Sequence, residues 1–173
     1  THNIVGEDTD EIVTFLKERN LMNHVSDKVK VVYHPDFINS TNPLFAMDYN
    51  HFVRGCNLGI FPSYYEPWGY TPLECMASGV PAVTSDLSGF GDYLLRNMPG
   101  HEDYGLYVIE RGKRTFEWSV NQLTDVMYKF LQQTRRERIM QRNNVENNSS
   151  AFDWQNLITN YIEAYKMVLN SNK

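Results

Sequence analysis

Short apolar runs alternate with amphipathic stretches along the chain. Four runs rich in β-branched or other apolar residues predict strands at residues 28–33, 58–61, 80–84 and 104–109. The stretches between them carry apolar residues at helical spacing. Because short strands that alternate with helices form a parallel sheet with both faces covered, the pattern predicts an α/β fold. Helices are expected on both faces of the sheet, and further helices at the C-terminal end.

Helix starts are predicted by residues whose side chains can accept a hydrogen bond from a first-turn amide. These N-cap candidates are Asp8 or Thr9, Asp48, Thr71, Ser119 and Asp153. Thr71 with Glu74, and Ser119 with Gln122, have the spacing of a capping box. A short helix is expected at residues 92–97. The last helix is predicted to pack inward through Trp154, Leu157, Ile158, Tyr161, Ile162 and Tyr165.

The stretch 63–79, with the sequence SYYEPWGYTPLECMASG, concentrates the candidate chemistry. It follows an apolar strand, places Glu66 and Glu74 on either side of a Gly/Pro loop, and predicts a helix that stops at Gly79. A strand that runs through a tight loop into a capped helix can form an anion pocket, because loop amides and the positive helix end face the ligand. The alternative is that Glu74 is only a capping residue and that the aromatic residues fill the core.

The parallel sheet predicts where a ligand binds, since ligands of such sheets lie beyond the carboxyl ends of the strands. The loops that follow the predicted strands are residues 34–42, 63–71, 85–91 and 110–116. They are expected to share one rim, with Glu66 in its middle. Gly89 and Gly91 are expected to let the backbone turn sharply and approach another group closely.

Composition narrows the function classes. The formal net charge of −5 argues against a general nucleic-acid surface, which needs a positive field. No run approaches the roughly 18 apolar residues of a membrane helix, and the acidic start does not read as a signal peptide. Cys56 and Cys75 are expected to be reduced thiols in a cytoplasmic protein, and they lack metal-ligand spacing. No metal and no cofactor are expected.

Four segments closely resemble the eukaryotic-type glycogen synthase family. They are HPDFINSTNP at 34–43, DYNHFVRGCNLGIFPSYYEPWGYTPLECMASGVP at 48–81, SGFG at 88–91 and TRRERIMQRN at 134–143. The resemblance implies the C-terminal half of a retaining glycosyltransferase with two Rossmann-like domains, the GT-B architecture. Residues 1–117 would be a partial nucleotide-sugar-binding domain, residues 118–150 an arginine-bearing helical segment, and residues 151–173 a C-terminal packing helix.

The resemblance also implies an activity, the transfer of glucose from UDP-glucose to glycogen through α-1,4 bonds, with retention and without a metal. Glu66 would be the catalytic carboxylate beside the donor glucose, Glu74 would lie by the ribose, and Tyr49 would stack on uracil. The other residues of the implied UDP-glucose site are Trp68, Gly69, Tyr70 and Thr71, and the last three would hold the diphosphate through their amides. Glycogen, glucose 6-phosphate, a glycogenin-type primer and a homotetramer are the implied partners.

The implied catalytic site is incomplete in this chain. It needs a second Rossmann-like domain and a basic pair from further upstream, and residues 63–79 contain no Lys or Arg. The fragment is therefore expected to be inactive alone. Two alternatives stay open: another retaining nucleotide-sugar glycosyltransferase, and a non-catalytic module that binds a nucleotide or sugar phosphate.

An arginine cluster follows in a helix that is expected to be one long element. Arg135, Arg138 and Arg142 fall on one side of an unbroken helix and suit a phosphate, although a solvated charged face gives the same pattern. The resemblance favours glucose 6-phosphate, held mainly by Arg138 and Arg142. Three positions depart from the family pattern, which would weaken or alter this regulation: Asn57, Asn144 and Asn147.

Overall fold

The computed structural model describes residues 4–171 and divides the chain into two compact units. The first unit runs to Phe37 and the second begins at Ile38. Each unit is described by itself. The expected boundaries at 117/118 and 150/151 stay predictions, as does the rim position of loop 34–42, which spans the division between the units.

The first unit is built around helix α1, Glu11–Glu18, preceded by a 3-10 turn at Glu7–Thr9. The N-cap of α1 is Asp10, whose carboxylate accepts a hydrogen bond from the Val13 amide at 2.9 Å. The expectation that Asp8 or Thr9 caps this helix is wrong, because the 3-10 turn precedes it and moves its start.

The predicted strand at residues 28–33 is also wrong, since residues 4–37 contain no strand. The side-chain amide of Asn23 instead binds both the N–H and the C=O of Val31, each at 2.8 Å. Val29 and Val32 are exposed. The β-branched pattern does not produce a strand here, and no neighbouring strand in this unit provides a ladder.

The second unit contains a parallel three-stranded sheet in the order β1-β2-β3. Its strands are β1 Gly59–Ile60, β2 Ala82–Ser85 and β3 Leu106–Ile109. Gly59 pairs with Ala82, and Ala82 pairs with Leu106 on the other side. The three remaining strand predictions and the α/β class are confirmed, although each strand is shorter than its apolar run.

The second unit contains six helices in the described part of the chain. They are α2 Tyr49–Gly55, α3 Tyr70–Ala77, α4 Gly89–Asn97, α5 Phe116–Gln132, α6 Arg135–Asn148 and α7 Trp154–Ser171, with 3-10 turns at His101–Tyr104 and Ser149–Phe152. The expected single long helix is in fact α5 and α6, separated at Gln133 and Thr134. Helix α4 begins earlier than the expected residue 92.

Two predicted capping boxes are wrong. Helix α3 follows Gly69, whose left-handed backbone has a φ of 117°, so Thr71 lies inside the helix and caps nothing. Helix α5 is capped by Thr115, which accepts from the Trp118 amide at 3.2 Å. Ser119 lies a turn later, and its hydroxyl donates to the carbonyl of Glu110 at 2.7 Å.

The core of the second unit lies between the sheet and helices α3, α4 and α6. Strand β2 is buried along its whole length. An aromatic cluster continues the core, with ring centroids 5.2 Å apart for Phe90 and Phe152, 5.6 Å for Tyr93 and Phe152, and 5.9 Å for Trp68 and Phe90. The loop that holds Trp68 is therefore packed directly onto α4.

Helix α7 does not pack as expected. None of its described residues is buried, and Trp154, Tyr161 and Tyr165 are each more than half exposed. The periodicity identifies an amphipathic helix, but its apolar side is only partly covered within the second unit, where Leu157 and Ile158 are half-buried. None of the helices in residues 4–171 is long and apolar enough to span a membrane.

Candidate functional site

Glu66 is fixed through its backbone and its side chain. The Gly89 N–H donates to the Glu66 carbonyl at 3.0 Å, and the Glu66 N–H donates to the Leu87 carbonyl at 3.4 Å. The Ser63 hydroxyl donates to Oε2 of Glu66 at 3.0 Å. The half-buried carboxylate is therefore held between the loop after β1 and the loop after β2, at the carboxyl ends of both strands.

Gly89 makes the close approach of these loops possible. A Cβ atom at this position would lie 2.1 Å from the carbonyl oxygen of Pro67, and a Cβ at Gly91 would lie 2.1 Å from the carbonyl oxygen of Ser85. The predicted close approach is confirmed. The predicted sharp turn is wrong, because both glycines lie in the first turn of α4 without a positive φ, and Ser88 caps that helix through the Gly91 amide at 2.9 Å.

The start of α3 lies next to Glu66. A Cβ built on Gly69 would be 3.6 Å from the Glu66 carboxylate carbon. Tyr70 and Thr71 open the helix, so their N–H groups have no partner in its own ladder and lie at its positive end. The structure thus places a carboxylate and a set of free helical amides side by side, which suits a ligand with a cationic centre and a departing anion.

The two glutamates face different clefts. Glu66 and Thr71 line an open cleft of about 320 Å³ together with Phe61, Pro62 and Ser63. Glu74 is exposed and lines another cleft of about 370 Å³, together with Asn50, His51, Arg54, Ala77 and Ser78.

Tyr49 lies beside Glu74 at the N-terminus of α2. Burial raises the pKa of the Tyr49 hydroxyl, and the negative charge and hydrogen bond of Glu74 raise it further. Tyr49 as a whole remains 37% exposed. The pair therefore presents an aromatic face and a carboxylate to solvent.

The remaining residues of the predicted substrate site, Trp68 and Tyr70, lie on a third surface. They line an aromatic cleft of about 480 Å³ with α4 and α7 residues, and Trp68 packs edge-on against Tyr93 at 5.7 Å. Of the predicted set, the structure brings together Glu66, Gly69, Thr71 and the backbone N–H of Tyr70, whose side chain alone faces the aromatic cleft. It separately brings together Tyr49 and Glu74.

Arg138 and Arg142, one turn apart on α6, both contact backbone carbonyls. Arg142 donates to the carbonyls of Cys56 at 2.8 Å and Arg54 at 3.0 Å, at the end of α2. Arg138 donates to the Gln133 carbonyl at 3.2 Å, just after α5. Cations at helix C-termini are stabilising, so both guanidinium groups have a structural role. Arg135 is the exposed first residue of α6.

Sequence reasoning missed two residues of the rim, Asp86 and Arg111. Asp86 follows β2 and accepts from the Arg111 amide at 2.8 Å, while the Arg111 side chain reaches the loop after β1. Asp86 directly follows β2, and Arg111 is the second residue after β3. An acid and a base in loops expected on one rim were the available signal. Among residues 4–171, no group of three or more His, Cys, Asp or Glu residues could hold a metal ion.

Comparison with known proteins assigns the family. A family model described as glycogen synthase matches residues 1–172. The chain belongs to the glycogen synthase family. The resemblance to this family, carried most specifically by residues 48–81, is thereby confirmed.

Curated relatives that are similar to this chain come from a fungus and from animals. It is 46% identical over 169 residues to Glycogen (starch) synthase of Neurospora crassa and 47% identical over 170 residues to the liver Glycogen (starch) synthase of Homo sapiens. It is 48% identical over 169 residues to Glycogen (starch) synthase of Caenorhabditis elegans. These matches cover 98% of this chain but only 24% or 25% of the relatives. The chain therefore spans about a quarter of their length.

Proposed function

We propose that this chain is the donor-binding portion of a glycogen synthase, which in the complete protein transfers glucose from UDP-glucose to the non-reducing end of glycogen. The new bond would be α-1,4, formed with retention of configuration. The observation that carries the proposal is the position of Glu66, which is fixed by three hydrogen bonds directly beside the first amides of α3.

The geometry suits the separation of charge in glycosyl transfer. As the bond to UDP breaks, negative charge grows on the departing phosphate, and the amides of Gly69, Tyr70 and Thr71 at the positive end of α3 stabilise it. Positive charge grows at the anomeric carbon, and the Glu66 carboxylate stabilises that oxocarbenium-like centre. Glu66 would act either as a nucleophile or as an electrostatic partner, and both roles require the same placement.

Tyr49 and Glu74 would bind the nucleoside. The exposed ring of Tyr49 offers a stacking surface for uracil, and the Glu74 carboxylate beside it accepts hydrogen bonds from ribose hydroxyls. Titration of the chain with UDP tests this assignment. Tyr49→Ala should abolish binding, while Tyr49→Phe, which keeps the ring, should retain most of it. Equal loss in both variants would contradict stacking.

Glucose transfer by the complete protein tests the role of Glu66. Glu66→Gln should lose turnover by orders of magnitude and still bind UDP, because the variant removes only the charge at the reacting centre. Glu163→Gln, at an exposed position of α7, is the matched control and should behave as wild type. UDP binding without turnover in the wild-type protein would instead favour a non-catalytic nucleotide-binding module.

The isolated chain is proposed to be inactive. Residues 63–79 contain no Lys or Arg to neutralise the diphosphate. Without such cationic hydrogen-bond donors, the rate of glucose transfer should be lower by orders of magnitude. Measurable glucose transfer by the purified chain would overturn this statement.

A second proposal concerns regulation by glucose 6-phosphate through Arg135, Arg138 and Arg142. Its support is the spacing of these residues on α6 and their closeness to the ends of α2 and α5. Arg142→Ala should abolish activation of the complete protein by glucose 6-phosphate, and intact activation would contradict it. A homotetramer, a glycogenin-type primer and a cytoplasmic location are proposed on family resemblance alone.

A further inference from the structure

Asp86 fixes the turn that follows β3. Its Oδ1 atom accepts hydrogen bonds from the backbone N–H groups of Arg111 at 2.8 Å and Gly112 at 3.1 Å. The backbone N–H of Asp86 also donates to the carbonyl of Ile109, the last residue of β3, at 3.1 Å. The loop after β3 is therefore attached to the end of β2 by three hydrogen bonds, and the backbone of Arg111 has a defined position.

From this position the Arg111 side chain reaches the loop after β1. The guanidinium donates to the carbonyl of Pro62 and lies over the ring of Tyr64 at 3.7 Å from its centroid. Ser63, between these two residues, is held from another side, since the Ser85 hydroxyl donates to its carbonyl at 2.6 Å. Three consecutive residues are thus restrained by the end of β2 and the loop after β3.

The restrained segment leads directly to Glu66. The Ser63 hydroxyl donates to Oε2 of Glu66 at 3.0 Å, so the orientation of the carboxylate depends on where Ser63 lies. No ion pair joins Arg111 to Glu66 among the described residues. The side-chain contacts of Arg111 therefore connect to the carboxylate through the segment 62–64.

We propose that Arg111 is a positioning residue for the reaction: it holds the segment 62–64 so that Ser63 orients the Glu66 carboxylate. This inference rests on the proposed function, because it assumes that Glu66 faces the reacting sugar. Arginine suits the role better than lysine, since its planar group donates to a carbonyl and stacks on an aromatic ring at the same time.

Kinetics of the complete protein test the proposal. A displacement of about 1 Å at a catalytic group reduces turnover by about 100-fold, so Arg111→Ala should lower kcat by about 10-fold to 100-fold. The KM for UDP-glucose should change by less than about 3-fold, because the nucleoside is held elsewhere, at Tyr49 and Glu74. Arg111→Lys keeps a donor and a cation and should recover part of the lost kcat.

Arg114→Ala is the matched control. Arg114 lies in the same loop, pairs with Glu110 at 2.5 Å and stacks over Trp118 at 4.6 Å, but neither partner belongs to the Glu66 loop. Its loss removes the same types of contact and should leave kcat unchanged. If Arg111→Ala and Arg114→Ala have equal kcat values, the proposal is overturned.

A double-mutant cycle separates positioning from a general structural role. In a Glu66→Gln background the carboxylate is gone, so Arg111→Ala should have no further effect on residual turnover. A full additive loss in that background would overturn the proposal, as would a parallel fall in kcat, UDP affinity and melting temperature. If Arg111→Ala does not fold, Arg111→Lys against Arg114→Lys provides the same comparison. Wild-type protein that binds UDP but transfers no glucose would refute the proposed function itself, which is a different result.

Discussion

The substitution Gly89→Ala tests how the site is assembled. Its added Cβ would lie 2.1 Å from the oxygen and 3.0 Å from the carbon of the Pro67 carbonyl, and 3.2 Å from Cα of Trp68. All three are backbone atoms, which cannot rotate away as a side chain would. The loop after Glu66 must therefore move by more than about 1 Å to reach an ordinary contact distance.

That movement weakens the hydrogen bonds that attach the loop to α4. The Gly89 N–H to Glu66 carbonyl bond is 3.0 Å long, and the Phe90 N–H to Trp68 carbonyl bond is 2.6 Å long. Overpacking costs about 1–3 kcal/mol, and each weakened hydrogen bond costs up to about 1 kcal/mol. The better helix propensity of alanine returns at most about 1 kcal/mol. We expect a net loss of about 2–4 kcal/mol in the free energy of unfolding.

Urea denaturation of the purified chain, followed by circular dichroism, measures this loss, and turnover of the complete protein measures its functional consequence. Because Pro67 adjoins Glu66, we expect kcat to fall by about 100-fold. Gly55→Ala is the control, since a Cβ there meets nothing within 4 Å, and its stability should stay within about 1 kcal/mol of wild type. Wild-type stability and turnover in Gly89→Ala would refute the close approach of the two loops.

Three further predictions concern α6 and the thiols. Thr134→Ala should lower the free energy of unfolding by about 1 kcal/mol in denaturation experiments, because it removes the N-cap of α6. Hydrogen bonds from the backbone and then the side chain of Thr134 lower the pKa of Glu137. The stabilisation that the Glu137 carboxylate gives should therefore be complete above about pH 4.3 and be lost as the pH falls through the lowered pKa. Glu137→Gln should remove this pH dependence of stability. Burial raises the pKa of Cys75 to about 11. Iodoacetamide at pH 8 should therefore label the half-buried Cys56 first and label Cys75 only after unfolding. Labelling of Cys75 in the native protein would contradict this prediction.

The sheet was predictable because its signal is local. Each of the strands β1, β2 and β3 is an apolar run bounded by turn residues, and the alternation with helices implies parallel order. Residues 28–33 have a similar composition without forming a strand. Strand formation also requires the edge of a neighbour, and composition contains no information about that edge.

Helix starts were less predictable because a capping pattern also occurs by chance inside helices. Thr71 and Ser119 fit the pattern, but Gly69 and Thr115 precede the helices that form. The complete capping box is at Thr134, where the Thr134 amide donates to the Glu137 carboxylate at 2.6 Å. This box begins the separate helix α6, which the sequence analysis predicted as part of one long helix.

Part of the candidate site was predictable from the sequence, namely Glu66, and part was not, namely the residues that hold it in place. Glu66 was identified because an acid among glycine, proline and aromatic residues is unusual in a loop. Its supports are ordinary residue types: Ser85 and Ser88 are at most 1% exposed, yet read in sequence as turn residues. Buried hydroxyls are costly unless they are bonded, and both are: Ser85 donates to Ser63, and Ser88 donates to the Ser85 carbonyl at 3.0 Å.

The central strand β2 therefore holds the candidate site together without contributing Glu66, the proposed catalytic residue. From its end, Ser85 restrains the loop after β1 and Asp86 restrains the loop after β3. A middle strand is the only one whose end adjoins both neighbouring loops, so support for a site at the rim of a three-stranded parallel sheet is best placed there. The same reasoning explains why Glu66, the proposed catalytic carboxylate, is on a flanking loop: the proposed role requires that a substrate reach it, while its supports must be kept from water to hold their hydrogen bonds.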